Sequence, residues 1–128
     1  MKIEDEHLWR ALEQGANGSE AFAAKSSGLS PLAIRFEIGE AAIELHVAHG
    51  HAQIVPGAQL RGYDVRIAGP REEWQRLLSG VISYPQAVNH AQGRLRIDGD
   101  LVASAWATPL ICEFLRPSPA MLARKDRS

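Results

Sequence analysis

Apolar and polar residues alternate with a period of two in four short stretches of the chain, at 33–38, 41–48, 51–55 and 63–68. A period of two places successive side chains on opposite faces of a strand, so each stretch predicts a strand with one buried face. The His49-Gly50 pair between the second and third stretches is typical of a tight hairpin turn. The pattern therefore predicts a meander of three strands, followed by a fourth strand.

Apolar residues with the spacing of a helix precede the predicted strands. Segment 3–14 carries Leu8, Trp9 and Leu12 on one side and acidic residues in its first turn, which predicts an amphipathic helix. Segment 15–30 is rich in glycine, serine and asparagine around a short Ala-Phe-Ala-Ala island. This composition predicts a connecting loop with one helical turn.

The second half of the chain mixes helices with one more strand. Gly69-Pro70 predicts the start of a helix with a buried stripe around Trp74, and segment 83–91 predicts another helix. Segment 93–98 predicts a fifth strand. Asp100 then suits the N-cap of the apolar segment 101–115, in which Thr108-Pro109 predicts two helical pieces or one kinked helix. This last segment is more apolar than a surface helix requires, which suggests that it lines a ligand space.

The composition argues against a nucleic-acid-binding protein and against an integral membrane protein. The 128 residues, 45% of them hydrophobic and 23% charged, suit one globular domain, and the net charge of −1 gives no reason to expect a nucleic-acid partner. No apolar run reaches the roughly 18 residues of a membrane span, so we do not expect an integral membrane protein. The acidic N-terminus and the single Cys112 favour the cytoplasm. We expect a helix and connector at 1–29, a core domain at 30–116 and a tail at 117–128.

Three phrases in fixed order resemble the sterol carrier protein type 2 lipid-binding domain. They are the strand YDVRI at 63–67, the helix GPREEWQRLLSG at 69–80 and the strand GRLRIDGD at 93–100. The resemblance covers about residues 30–115. It implies an α+β fold in which an antiparallel or mixed sheet of about five strands is covered on one face by helices. It also implies a hydrophobic tunnel between the layers that binds fatty acids, acyl chains or sterols.

An apolar ligand needs a concave, mostly aliphatic lining with few polar anchors. Each residue of the predicted lining also suits simple core packing, so only the set as a whole carries the binding hypothesis. Trp106 and Pro109 are expected to reshape or partly fill the tunnel. The predicted lining residues are Trp74, Leu78, Val81, Ile82, Leu101, Val102, Ala105, Trp106, Leu110, Ile111 and Phe114.

Two further sets of residues could carry other chemistry. His46 and His51 are expected on one face of the hairpin near Glu44, where imidazoles could ligate a metal, but exposed polar positions on a strand explain them better. His90, Tyr84 and Asp100 could transfer protons in a pocket, although Asp100 is explained more simply as a helix cap. The sequence shows no arrangement of nucleophile, base and orienting group.

The predicted function is the non-catalytic binding or transfer of a hydrophobic small molecule, such as a fatty acyl chain, a sterol or steroid, or an isoprenoid, without a cofactor. One alternative is a small lyase, isomerase or hydratase that acts on a hydrophobic substrate in the same cavity. Another is an accessory protein whose exposed sheet face or Leu8-Trp9-Leu12 helix contacts a partner enzyme or a second copy of the chain.

Overall fold

The computed structural model describes residues 6–28, 31–57, 62–89 and 91–115, with the side chains of Glu6 and Leu101 left out. Two helices come first and three strands follow them: α1 (Glu6–Asn17), α2 (Glu20–Ser26), β1 (Leu32–Ile38), β2 (Ala41–Ala48) and β3 (His51–Val55). The chain continues through β4 (Val65–Gly69), α3 (Arg71–Leu78), α4 (Tyr84–Ala87), β5 (Arg96–Gly99) and α5 (Leu101–Phe114).

The strands form one mixed sheet in the order β3-β2-β1-β4-β5. All neighbouring strands are antiparallel except β1 and β4, which run parallel. His49 and Gly50 have φ values of 53° and 78°, so both turn residues adopt the left-handed conformation that a tight hairpin between β2 and β3 uses. The predicted α+β fold and the predicted meander are confirmed.

Several element boundaries differ from the predictions. The stretch predicted to be a loop contains α2, which Ser19 caps by accepting a hydrogen bond from the Phe22 N–H at 3.1 Å. The helix predicted at 83–91 is a single turn, and β4 begins at Val65. Helix α5 is one element that includes Pro109, and not two pieces. The Thr108 hydroxyl in this helix donates to the Ser104 carbonyl oxygen at 3.0 Å.

Four aromatic rings meet between the sheet and the helices. Phe36 on β1 contacts Trp9 of α1, Trp74 of α3 and Phe114 of α5, with ring centroids 5.2, 5.7 and 6.0 Å away. Each of the four side chains is at most 1% exposed. We call them the aromatic cluster. At these residues, packed rings fill the layer interface in which the resemblance implies a tunnel.

Helix α1 covers the edge of the sheet as well as its inner face. Asn17 exchanges two hydrogen bonds with the backbone of Ala52 on β3, at 2.7 and 2.9 Å, and Glu13 accepts one from the Ile54 N–H at 2.6 Å. These side chains satisfy backbone groups that an edge strand would otherwise expose. The apolar residues Leu8, Trp9 and Leu12 are buried in the core, so these three side chains are not available to a partner. Contact of this helix with a partner through its other residues stays a prediction.

The outer face of the sheet also holds a buried charge. Glu44 is fully buried, although the pattern predicted an exposed strand residue. Its carboxylate accepts hydrogen bonds from Arg35 at 2.6 and 2.9 Å and forms one with His46 Nε2 at 2.9 Å. The Gly62 N–H also donates to it, and the Tyr63 ring lies 4.6 Å from the Arg35 guanidinium. The chain therefore crosses this face, which the strand pattern alone could not show.

A second charged group lies on the same outer face but nearer solvent. Arg66 on β4 pairs with Glu37 on β1 at 2.6 Å and with Asp98 on β5 at 2.7 Å. The hydrogen bond from Arg66 lowers the pKa of the Glu37 carboxyl. This group crosses three strands at positions that face away from the helices, and it keeps the β4–β5 side of the outer face polar.

Candidate functional site

Helix α5 exposes two large apolar side chains. Val102 is 67% exposed and Trp106, one helical turn further on, is 58% exposed. Residues four positions apart lie on the same side of a helix, so the two form a continuous apolar strip. The strip borders an open cavity of about 780 Å³, which we call the Trp106 groove. The rest of its lining includes Ala24, Lys25, Pro31, Leu32, Asp64, Asp100 and Ala103.

Hydrogen bonds hold the lining residues Asp64 and Asp100 in place. Asp100 caps α5 by accepting from the Ala103 N–H at 2.9 Å, and its own N–H donates to the Asp64 carbonyl at 3.0 Å. The Asp64 side chain accepts from the Ala33 N–H at the start of β1 at 2.9 Å. Gly99 has a φ of 117°, and a Cβ there would clash with the Asp64 carbonyl oxygen. A glycine is therefore needed where β5 turns into α5.

An ion pair joins Lys25, a lining residue of the groove, to α5. Lys25 of α2 donates to Glu113 of α5 at 2.8 Å. Among the described residues, the charged side chains that line the groove are one lysine and two aspartates, so carboxylates outnumber ammonium groups in this part of the lining. Such a lining favours a ligand whose polar end carries no negative charge.

Another cavity lies on the far side of α5. It has a volume of about 430 Å³ and is formed where α3 ends, where α4 begins and along the last turns of α5. We call it the Tyr84 pocket. Its lining includes Leu77, Val81, Ile82, Tyr84, Cys112 and Leu115.

Tyr84 is held by a capped helical turn. Ser83 accepts a hydrogen bond from the Gln86 N–H, and the Gln86 side chain accepts one from the Ser83 N–H, which together form a capping box. Tyr84 is 4% exposed. Burial and the nearby Cys112 raise the pKa of its hydroxyl, so the phenol stays protonated at neutral pH.

The predicted lining residues are divided among separate places. Val102 and Trp106 line the groove, whereas Val81 and Ile82 line the Tyr84 pocket. Leu78 is 8% exposed, Ala105 is exposed, and the side chain of Leu101 lies outside the described part of the structure. Contact between these residues and a ligand stays a prediction. The six that belong to the buried core are Trp74, Leu78, Ile82, Leu110, Ile111 and Phe114.

The residues considered for proton transfer or metal binding do not converge. Tyr84 and Asp100 line different cavities, and His90 lies outside the described residues. His46 bonds to Glu44, and His51 is exposed on the neighbouring strand. Within the described ranges, no group of three or more histidine, cysteine, aspartate or glutamate side chains could hold a metal ion.

Sequence reasoning missed the α2 side of the groove. Ala24, Lys25 and Pro31 lie in or beside the stretch predicted to be a connector, so none was considered as a site residue. The available signal was Ser19 followed by Glu20 and a run rich in alanine, since a serine cap and an acidic first turn are typical of a helix start.

Comparison with solved structures identifies the fold. The chain is similar to a crystal structure of sterol carrier protein 2, with 21% identity and a TM-score of 0.69 over 88% of this chain and 94% of that one. It is similar to a Thermus thermophilus protein described as possibly a sterol carrier protein, with 22% identity and a TM-score of 0.62 over 94% of each chain. For the sterol carrier protein domain 2 of Helicoverpa armigera the identity is 18% and the TM-score 0.58, over 91% and 93% of the two chains.

These likenesses confirm the predicted resemblance at the level of fold: the chain has the sterol carrier protein 2 fold. No protein-family model matches the sequence, and no curated protein matches it significantly. Among the helices described, none is both long and apolar enough to span a bilayer.

Proposed function

We propose that this protein binds an uncharged hydrophobic small molecule in the Trp106 groove, without covalent chemistry, and carries it to other proteins. The observation that carries the proposal is the exposed pair Val102 and Trp106 along a groove of about 780 Å³. The fold supports it, because solved structures of the same fold are named as sterol carrier proteins.

The exposed strip gains free energy when it is covered. Apolar surface removed from water contributes about 25 cal/mol per Å², and aromatic side chains bury large areas. Because Trp106 is more than half exposed, much of its ring is open for a ligand to cover. Trp9 and Trp74 are fully buried in the aromatic cluster and do not contribute. The groove therefore offers binding surface without any opening of the core.

The charges of the groove select the polar end of the ligand. Asp64 and Asp100 both accept backbone hydrogen bonds, and Lys25 is paired with Glu113. A carboxylate head would meet two like charges and compete for a lysine that already has a partner. An alcohol, a sterol or an isoprenoid avoids this repulsion, so we favour these classes over free fatty acids.

The same side chains favour binding over catalysis. A general base must reach the proton that it removes, and the two groove aspartates are occupied with capping and with fixing β1. Tyr84, the other described residue considered for proton transfer, lines a different cavity. The proposal therefore assigns the groove a carrier role.

Decanol binding tests the proposal through tryptophan fluorescence. Two of the three tryptophans are fully buried, so a spectral shift on binding should come from Trp106 and vanish in Trp106→Phe. We expect decanol to bind several-fold more tightly than decanoate. Octanol should bind about fourfold more weakly than decanol, because an open groove buries about half of each of the two lost methylenes.

Val102→Asp should weaken decanol binding at least fivefold, because it places a charge in the apolar strip. Aspartate in the first turn of α5 suits the helix dipole, so the fold should be retained. The matched control is Val81→Asp, since Val81 is also 67% exposed but lies outside the groove. A Trp106 response that Val102→Asp and Val81→Asp change equally, or no response to decanol, octanol or a sterol, would contradict the proposal.

A further inference from the structure

The Tyr84 hydroxyl has no hydrogen-bond partner among the described residues, and its oxygen is buried. Such an oxygen is unusual, since nearly all buried polar side-chain atoms are paired with protein groups or ordered water. Tyr84 also lines a cavity of about 430 Å³. A buried side chain that carries an unpaired hydroxyl and lines a mostly apolar cavity is a candidate to bind a ligand that supplies the missing partner.

We propose that the Tyr84 pocket is a second ligand site, for neutral and largely apolar molecules that carry one hydrogen-bond acceptor, such as the carbonyl oxygen of a ketone or an ester. In this site the pocket widens around Tyr84, whose oxygen is buried in this structure, so that its hydroxyl can donate to the acceptor. Leu77, Ile82 and Leu115 then surround the apolar part of the molecule. The inference does not depend on the function of the Trp106 groove, because the two cavities share no lining residue.

The lining explains the preference for neutral ligands. It holds no lysine, arginine, aspartate or glutamate among the described residues. A carboxylate would therefore lose its hydration without gaining a counter-ion, which is costly in an apolar site. The raised pKa of Tyr84 keeps its phenol protonated, so the group is available as a donor and not as an anion.

The pocket is open to solvent at one side. Val81 is 67% exposed there, and Pro85 and Gln86 of α4 are also exposed. Tyr84 and Leu115 lie at the closed side, since they are 4% and 2% exposed. A ligand can therefore enter past Val81 with its carbonyl first and leave its apolar end near the opening.

Three aromatic probes of similar size test the proposal. Acetophenone carries a ketone oxygen as acceptor, ethylbenzene carries no acceptor, and benzoate carries a charged acceptor. Binding is followed by NMR shifts of the intact protein. We expect acetophenone to shift Val81 and Ile82, and not Val102 and Ala103. Tyr84→Phe should weaken acetophenone about fivefold, because one buried hydrogen bond is lost, and change ethylbenzene less than twofold. Benzoate should bind more weakly than acetophenone.

Several results would contradict the second ligand site or its preference for neutral ligands. Acetophenone affinity that stays within twofold in Tyr84→Phe, shifts confined to the groove, or no binding would overturn the second site. Tighter binding of benzoate than of acetophenone would overturn the assignment of neutral ligands.

Val81→Asp provides another variant, since a charge at the opening of the Tyr84 pocket should also weaken acetophenone binding. Val102→Asp should leave acetophenone binding unchanged, so failure here is separable from failure of the Trp106 groove.

Discussion

Phe36→Ala is expected to lower the free energy of unfolding by about 4 kcal/mol, because it leaves a cavity at the centre of the aromatic cluster. Phe36 is fully buried and contacts the rings of Trp9, Trp74 and Phe114. Urea unfolding followed by circular dichroism measures the loss. The cavity should also bind benzene, as apolar cavities in protein cores do.

The control for this variant is Trp106→Ala, which removes a larger aromatic ring from an exposed position. Because Trp106 makes up part of the groove and not of the core, we expect it to lower stability by less than about 1 kcal/mol. Equal losses in the two variants would show that the rings of the aromatic cluster do not fill the layer interface as described.

Glu44→Ala is expected to cost about 3 kcal/mol, because it leaves Arg35 without its carboxylate partner on the covered part of the outer face. The lost hydrogen bonds from Arg35 are 2.6 and 2.9 Å long, and the Gly62 N–H and His46 lose an acceptor at the same time. The variant should therefore also loosen the chain around Tyr63. Urea unfolding gives the stability, and hydrogen exchange at Gly62 gives the local effect.

Glu37→Ala is the matched control for the buried charge. Glu37 lies on the same face of the sheet and also pairs with an arginine, but its side chain is 24% exposed, whereas that of Glu44 is fully buried. An exposed ion pair contributes at most about 1 kcal/mol, so the loss should be correspondingly small. If Glu44→Ala cost no more than Glu37→Ala, burial would not be what makes the Glu44 pair important.

The sheet was predictable because its signals are local. Alternation in β1, β2 and β3 follows from one buried face, and His49-Gly50 supplies the left-handed turn that joins two of these strands. The order of the later phrases predicted the fold, which comparison with solved structures confirmed. The pairing of β1 with β4 in parallel joins residues distant in sequence, and alternation alone does not specify such a pair.

The burial of Glu44 could not be predicted from alternation. A strand pattern assigns a residue to one face of the sheet, but it does not say what crosses that face. Here Gly62 donates to the carboxylate and Tyr63 covers Arg35, so the polar side of β2 is buried by a segment almost twenty residues later in the chain. Local patterns do not show burial that depends on such long-range contacts.

Which apolar residues of α5 are exposed and which are buried could not be predicted, for a related reason. Apolar residues occur all round this helix, so no periodicity distinguishes the exposed Val102 and Trp106 from the buried Leu110 and Phe114. The sequence did single out Trp106, together with Pro109, as residues expected to reshape or partly fill a ligand space. Part of the groove that Trp106 borders is lined by α2, where the sequence pattern predicted only a loop with one helical turn.

Intermolecular NOEs from bound decanol to the aromatic side chains locate the ligand and therefore test whether it binds in the Trp106 groove. We expect contacts with the Trp106 indole and the Val102 methyl groups, and none with the rings of Phe36 or Phe114. Strong contacts with Phe36 and Phe114 instead would place the ligand between the sheet and the helices and would contradict the assignment of the groove.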